Sequence, residues 1–249
     1  MSVADRPALE ALRRAAGAVV RTIAAARAAT RPGVTTAEID AAAAAELARC
    51  GARSAPQLVY DFPGAICISV NDEAVHGIPG ERVVEPGDLV KLDVTAELGG
   101  WMADAAVTVA LEPASERALA LRACAEAALE RGIAIARAGV TPAEVGAAVE
   151  EEIERWGFRV LRALGGHGIG RSIHEDPIMP NWADPDADEP LAEGLVVTIE
   201  PIIAESTREI AELDDGWTIA SADGSLVAHA EHTLVIRRNR PPLVLTAGR

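Results

Sequence analysis

The chain has 249 residues, is 49% hydrophobic and 24% charged, has 3% aromatic residues, and carries a formal net charge of −15. That acidic balance excludes nucleic acid and anionic membrane as principal partners, and the aliphatic, alanine-rich composition is that of a soluble globular fold. Cys50, Cys67 and Cys124 are too far apart for a disulfide framework or a paired-cysteine zinc motif, so a reducing compartment is expected.

Asp5, Arg6 and Glu10 precede any apolar run, which argues against a signal peptide, and Arg21 and Arg27 break the alanine-rich stretch 15–30 as a membrane span. A cytoplasmic protein is expected. Pro7 opens a helix over 7–29, closed by Pro32-Gly33. Thr35 and Glu38 form a capping-box pattern that opens a second helix to about Arg49. Short extended pieces follow at 57–60 and 66–70, then a loop carrying His76-Gly77-Ile78-Pro79. Residues 90–107 read as a hairpin, VKLDVT and WMADAAV. A turn at Leu98-Gly99 sets Asp93 opposite Asp104, with Cβ atoms roughly 5 Å apart; a turn at Gly99-Gly100 pairs Asp93 with Ala106 instead. The first register is expected, and two acids so close require either a shared proton or a cation. Helices are predicted over 114–137 and 142–156, and strands at 158–161, 195–199, 217–220 and 226–236.

Helix, helix, strands is thus followed by helix, helix, strands. RPGVTTAEIDAAAAAELARCG (31–51) aligns with RAGVTPAEVGAAVEEEIERWG (137–157). His76-Gly77-Ile78 answers to His167-Gly168-Ile169, and the strand ending in Asp93 answers to the one ending in Glu200. Asp104 and Glu231 follow on later strands. An internal duplication is expected, about 7–110 and about 114–240, within one catalytic domain spanning 1–249. Equivalent residues would then meet around a pseudo-twofold axis.

The candidates near that axis are His76, Asp93, Asp104, His167, His174, Glu200 and Glu231. Carboxylates with a single imidazole and no thiolate suit divalent manganese, iron, cobalt or zinc. Four acids exceed the needs of one catalytic zinc but fit two cations about 3.5–4 Å apart. The glycines of Gly165-Gly166-His167-Gly168-Ile169-Gly170 have neither the dinucleotide spacing nor a phosphate-binding lysine. They are expected to let the backbone turn sharply and bring a substrate close to His167. Strand alternation places His229 on the face of Glu231 and His232 on the other, in a supporting or structural role.

Taken together, NDEAVHGIP, KLDVT, WMADAA, GGHGIGRSIHEDP, VTIEP and AEHT resemble the successive motifs of the type I methionine aminopeptidases. The resemblance covers about residues 10–240. It implies the α+β pita-bread fold, two pseudo-symmetric halves around a central antiparallel sheet. It also implies two divalent metal ions (Co, Mn, Fe or Zn) held by Asp93, Asp104, His167, Glu200 and Glu231. His76 would contact the scissile amide nitrogen or the residue after it, His174 would hydrogen-bond the carbonyl oxygen, and Glu200 would carry the proton to the leaving amine. Phe62, Cys67 and Trp217 would line the methionine pocket. The short interval from His174 to Glu200 has no room for the helical insertion of type II enzymes. The implied activity is removal of the initiator methionine from nascent polypeptides with a small second residue, near the ribosome, by a monomeric enzyme without direct nucleic-acid or membrane contact. Val59 and Ile173 stand where relatives carry a tyrosine and an aromatic, so a shifted first-residue specificity is the alternative. A non-catalytic binding protein on the same fold is a further one.

Overall fold

The computed structural model describes residues 6–248. Helices α1 (Arg6–Ala29) and α2 (Thr36–Arg49) come first, then the short α3 (Ala55–Tyr60), and later α4 (Glu116–Ile135) and α5 (Pro142–Arg155). α2 and α5 start with the same device. Thr35 Oγ1 accepts the Glu38 N–H while the Glu38 carboxylate accepts the Thr35 N–H, and Thr141 and Glu144 repeat this. Each box satisfies two otherwise orphaned donors and contributes about 1 kcal/mol. No helix among the described residues is long and apolar enough to cross a membrane.

α1 and α2 bury Leu12, Ala15, Val19, Ile39 and Leu47 against one sheet, where Ile68, Val90, Leu92 and Val94 complete a core. The strand Leu89–Glu97 is central in that sheet, paired with Met102–Ala110 on one side and with Cys67–Val70 and Arg53–Ser54 on the other. α4 and α5 cover a second core of Leu121, Leu129, Val149, Phe158, Val197 and Leu234. Its largest sheet runs Leu243–Val244, His232–Val235, Val196–Ile199, Gly165–Gly168, Glu175–Pro180. Two three-stranded sheets complete the fold, and all pairings among the described residues are antiparallel.

Four expectations are corrected. Residues 57–60 are helical, because Ser54 Oγ caps the Gln57 N–H and Pro56 sits at the helix start. The stretch 226–236 divides into Val227–His229 and His232–Val235 in different sheets, because the Ala230 and Glu231 N–H groups turn to Pro201 O and Ala106 O. The segment around His167 is a strand rather than a sharp turn. Its glycines are needed because a Cβ at Gly166 would lie 2.5 Å from Thr198 O, and one at Gly168 2.2 Å from Asp176 O.

The fourth correction is the hairpin register. Leu98 and Trp101 exchange backbone hydrogen bonds around Gly99-Gly100, so Asp93 pairs with Ala106 and Thr95 with Asp104. Both glycines have positive φ, 64° and 78°. A two-residue turn of this kind demands that conformation at both positions, and Leu98 would be strained in it. Asp93 and Asp104 are therefore diagonal neighbours on one face, one row apart. Glu97 secures the turn by accepting from the Gly100 N–H at 2.6 Å and from Arg53 Nε at 2.7 Å.

Two threonines fasten this hairpin to the other half of the chain. Thr233 Oγ1 accepts the Asp104 N–H at 2.9 Å and donates to Asp104 O at 2.7 Å. Thr108 Oγ1 accepts the His229 N–H at 2.9 Å and donates to His229 O at 2.7 Å. The turn is the most direct place to test the register. Gly99→Asn is expected to stay within about 0.5 kcal/mol of the parent in urea unfolding, whereas Gly100→Val is expected to lose about 1–2 kcal/mol. Equal costs would contradict the assigned turn.

Candidate metal centre and active-site cavity

Phe62, Cys67, His76, Asp93, Asp104, His167, His174, Glu200, Trp217 and Glu231, each singled out by sequence, all line one cavity of about 380 Å³. The hairpin supplies Asp93 and Asp104 on one face. Val196–Ile199 delivers Glu200 just past its end, and the break between Val227–His229 and His232–Val235 delivers Glu231. Asp104, Glu200 and Glu231 are buried. Burial and neighbouring acids push Asp93, Glu200 and Glu231 well above the usual carboxylate range; burial raises Asp104 as well, against an opposing hydrogen bond from Thr95. Among the described residues, no lysine or arginine lines the cavity.

The histidines are held from behind. His167 Nδ1 lies 2.8 Å from Gly168 O, so it carries the proton and donates, leaving the Nε2 lone pair 3.6 Å from Glu200 Oε1. Thr198 links the same two residues: its Oγ1 accepts the His167 N–H at 3.0 Å and donates to Glu200 Oε1 at 2.8 Å. His76 has φ 59°, and the following Gly77 is packed so tightly that a Cβ would lie 2.3 Å from Ile68 O. Gly77 N–H also donates to Ser69 Oγ, which ties this strained loop to the strand edge. His174 stacks edge-on to His167 with ring centroids 4.3 Å apart. Burial lowers the pKa of all three, His174 further through His167 and His76 further through His174, so they are neutral at neutral pH.

At the apolar end Phe62 and Trp217 meet edge to face at 5.2 Å, beside the buried Cys67, whose thiol burial pushes far up. Ile173 belongs to the same wall. Val59 does not: it is 44% exposed and off the cavity, which corrects the expectation that it shapes the pocket. Its neighbour Tyr60 lines the cavity instead, its hydroxyl 2.7 Å from His174 Nδ1. Tyr60 is a residue that the sequence reading missed. A helical turn over 55–60 puts Pro56 and Tyr60 on one face, and the Ser54-x-Pro56 spacing was the signal. His232 turns away to Thr246 Oγ1 at 2.9 Å.

Polar atoms left without partners decide whether this centre fits cations. Asp104 Oδ1, Glu231 Oε1 and both ring nitrogens of His229 are buried without a hydrogen-bond partner. Two donor groups, Asp104 with His167 and Glu231, and Glu200 with His229 and Glu231, each bring their ligand atoms within 4.8 Å of one another. Carboxylate oxygen and neutral imidazole are a donor set for divalent first-row metals, so the residues present fit such ions.

The raised carboxyl pKa values carry a sign. A group whose folded pKa lies above its unfolded value stabilises the fold less as pH rises from the ordinary carboxylate range of 3.8–4.5 toward neutrality, since the unfolded groups ionise while the folded ones resist. A bound cation holds the ionised form and removes that penalty. The rise in Tm on adding Mn(II) or Co(II) is therefore expected to be larger at about pH 7.5 than at about pH 5.5. Equal rises, or none, would contradict it.

Residues 10–238 match metallopeptidase family M24. The chain is 44% identical over 218 residues to "Methionine aminopeptidase 2" of Bacillus subtilis (strain 168), covering 86% of this chain and 87% of that one. It superimposes on the crystal structure of a methionine aminopeptidase from Thermotoga maritima with TM-score 0.94 and 32% identity, over the full length of both chains. The prolidase of Pyrococcus furiosus shares the fold at TM-score 0.77 and 22% identity, over 98% of this chain and 65% of its own. The architecture is the α+β pita-bread fold, and the chain belongs to metallopeptidase family M24.

Proposed function

We propose that the protein is a type I methionine aminopeptidase that removes the initiator methionine from nascent polypeptides whose second residue is small. The observation that carries this reading is the single cavity that joins all ten residues of the resemblance. The short interval from His174 to Glu200 supports type I. We take 1–249 as one catalytic domain, duplicated over about 7–110 and about 114–240, on the strength of the paired capping boxes. The same reading makes the enzyme a cytoplasmic monomer that meets its substrates near the ribosome.

Asp93, Asp104, His167, Glu200 and Glu231 would hold two divalent ions, Co, Mn, Fe or Zn. Such ions polarise a carbonyl and bring the deprotonation of water near neutral pH. The chain's own residues do the rest. The methionine side chain enters the apolar end between Phe62, Cys67, Trp217 and Ile173. Tyr60 O–H donates to His174 Nδ1, which leaves the proton on Nε2 and aims that N–H at the substrate carbonyl oxygen, where negative charge develops. His76 approaches the scissile amide nitrogen. Glu200 accepts a proton from the attacking water and gives it to the departing amine.

After reconstitution with Mn, Fe or Co, the protein is expected to release Met from Met-Ala and Met-Ser peptides, and Glu200→Gln to lower kcat by roughly 10²–10⁴-fold. A metal-loaded enzyme that releases no Met would overturn the reading, while faster release of Leu, Ala or Pro would favour the shifted specificity suggested by Ile173. Tyr60→Phe is expected to lower kcat about tenfold with little change in KM, the loss of one hydrogen bond to a group acting on the transition state.

A further inference from the structure

His229 is used by none of the roles above, yet it occupies an unusual position. Its side chain is 1% exposed and neither ring nitrogen has a hydrogen-bond partner. An unpaired buried polar group of this kind is costly, so its retention calls for a partner. Nε2 points between two carboxylates, 3.7 Å from Glu200 Oε2 and 3.8 Å from Glu231 Oε2. Those separations exceed the hydrogen-bond range of about 2.7–3.2 Å. They match what two donors each about 2.1 Å from one ion span at an angle of about 120°.

The backbone of His229 is fixed by Thr108 on both its N–H and its C=O, so the ring cannot leave by strand slippage. A cavity of about 230 Å³ is lined by His229 together with Glu231 and His232. Lys91, which lies near enough to weigh on the ring's charge, is itself committed to Asn71 O at 2.8 Å.

We propose that His229 is a sixth protein donor to the metal centre, acting beside Glu200 and Glu231, so that the centre carries two imidazoles and not one. This rests on the metallopeptidase reading above and adds to its five ligands. A second imidazole moves the donor set toward Zn, Fe and Co relative to Mn, which is better suited to oxygen.

The test uses the full chain, freed of metal and titrated with Co(II) alone, with proton NMR reading the contact-shifted, solvent-exchangeable imidazole N–H signals. The wild type is expected to show two, from His167 and His229. His229→Gln is expected to lose one, and calorimetry to show at least a tenfold weaker Kd for one Co(II) equivalent. His167→Gln should lose the other signal. The wild-type count needs no variant to fold, so it decides the matter alone. A single wild-type signal that survives in His229→Gln overturns the sixth donor and leaves the five-ligand reading intact. A wild type that binds no Co(II) overturns both.

Discussion

The structure depends on one electrostatic constraint: Asp93, Asp104, Glu200 and Glu231 converge on a cavity that, among the described residues, no lysine or arginine lines. Two ionised carboxylates at about 4 Å repel by roughly 4 kcal/mol even at an effective dielectric constant of about 20. Several such pairs rival the whole stability of a domain, about 5–15 kcal/mol. The cluster can persist only protonated or filled with cations. An apolar replacement would be more stable, so the acids are kept for what they bind.

The scaffold answers that constraint with rigidity. Reciprocal hydroxyl clips, Thr233 on Asp104 and Thr108 on His229, hold strands from opposite halves side by side at the height of the acids. Thr95 and Thr198 each donate to one carboxylate oxygen, Asp104 Oδ2 and Glu200 Oε1, at 2.7 and 2.8 Å. These bonds choose which oxygens stay free. The helix pairs act at longer range, burying the sheets from behind and leaving the facing edges to form the cavity.

Much of this was legible in the sequence. The capping box at Thr35 announced α2, and the segment aligned with it announced α5, each to within a residue, because that signal is local and chemical. The acids could be assigned because chemistry-bearing residues recurred at matching points in two halves. The hairpin register differs from the one expected because Gly99-Gly100, not Leu98-Gly99, meets the turn's demand for positive φ at both positions. Tyr60 was hidden by a six-residue helix too short for periodicity to reveal. His229 was placed on the correct face, but nothing local says that its nitrogens lack partners. That follows only from the packing of three strands distant in sequence.

The central claim is that the fold raises the proton affinity of the acids and that cations displace those protons. It is tested most directly by calorimetric titration of the metal-free chain with Mn(II) at neutral pH, in buffers of different ionisation enthalpy. The account predicts saturable binding with net proton release, visible as a buffer-dependent heat. Saturable binding without proton release would mean that the acids were already ionised and tolerated, and would contradict it.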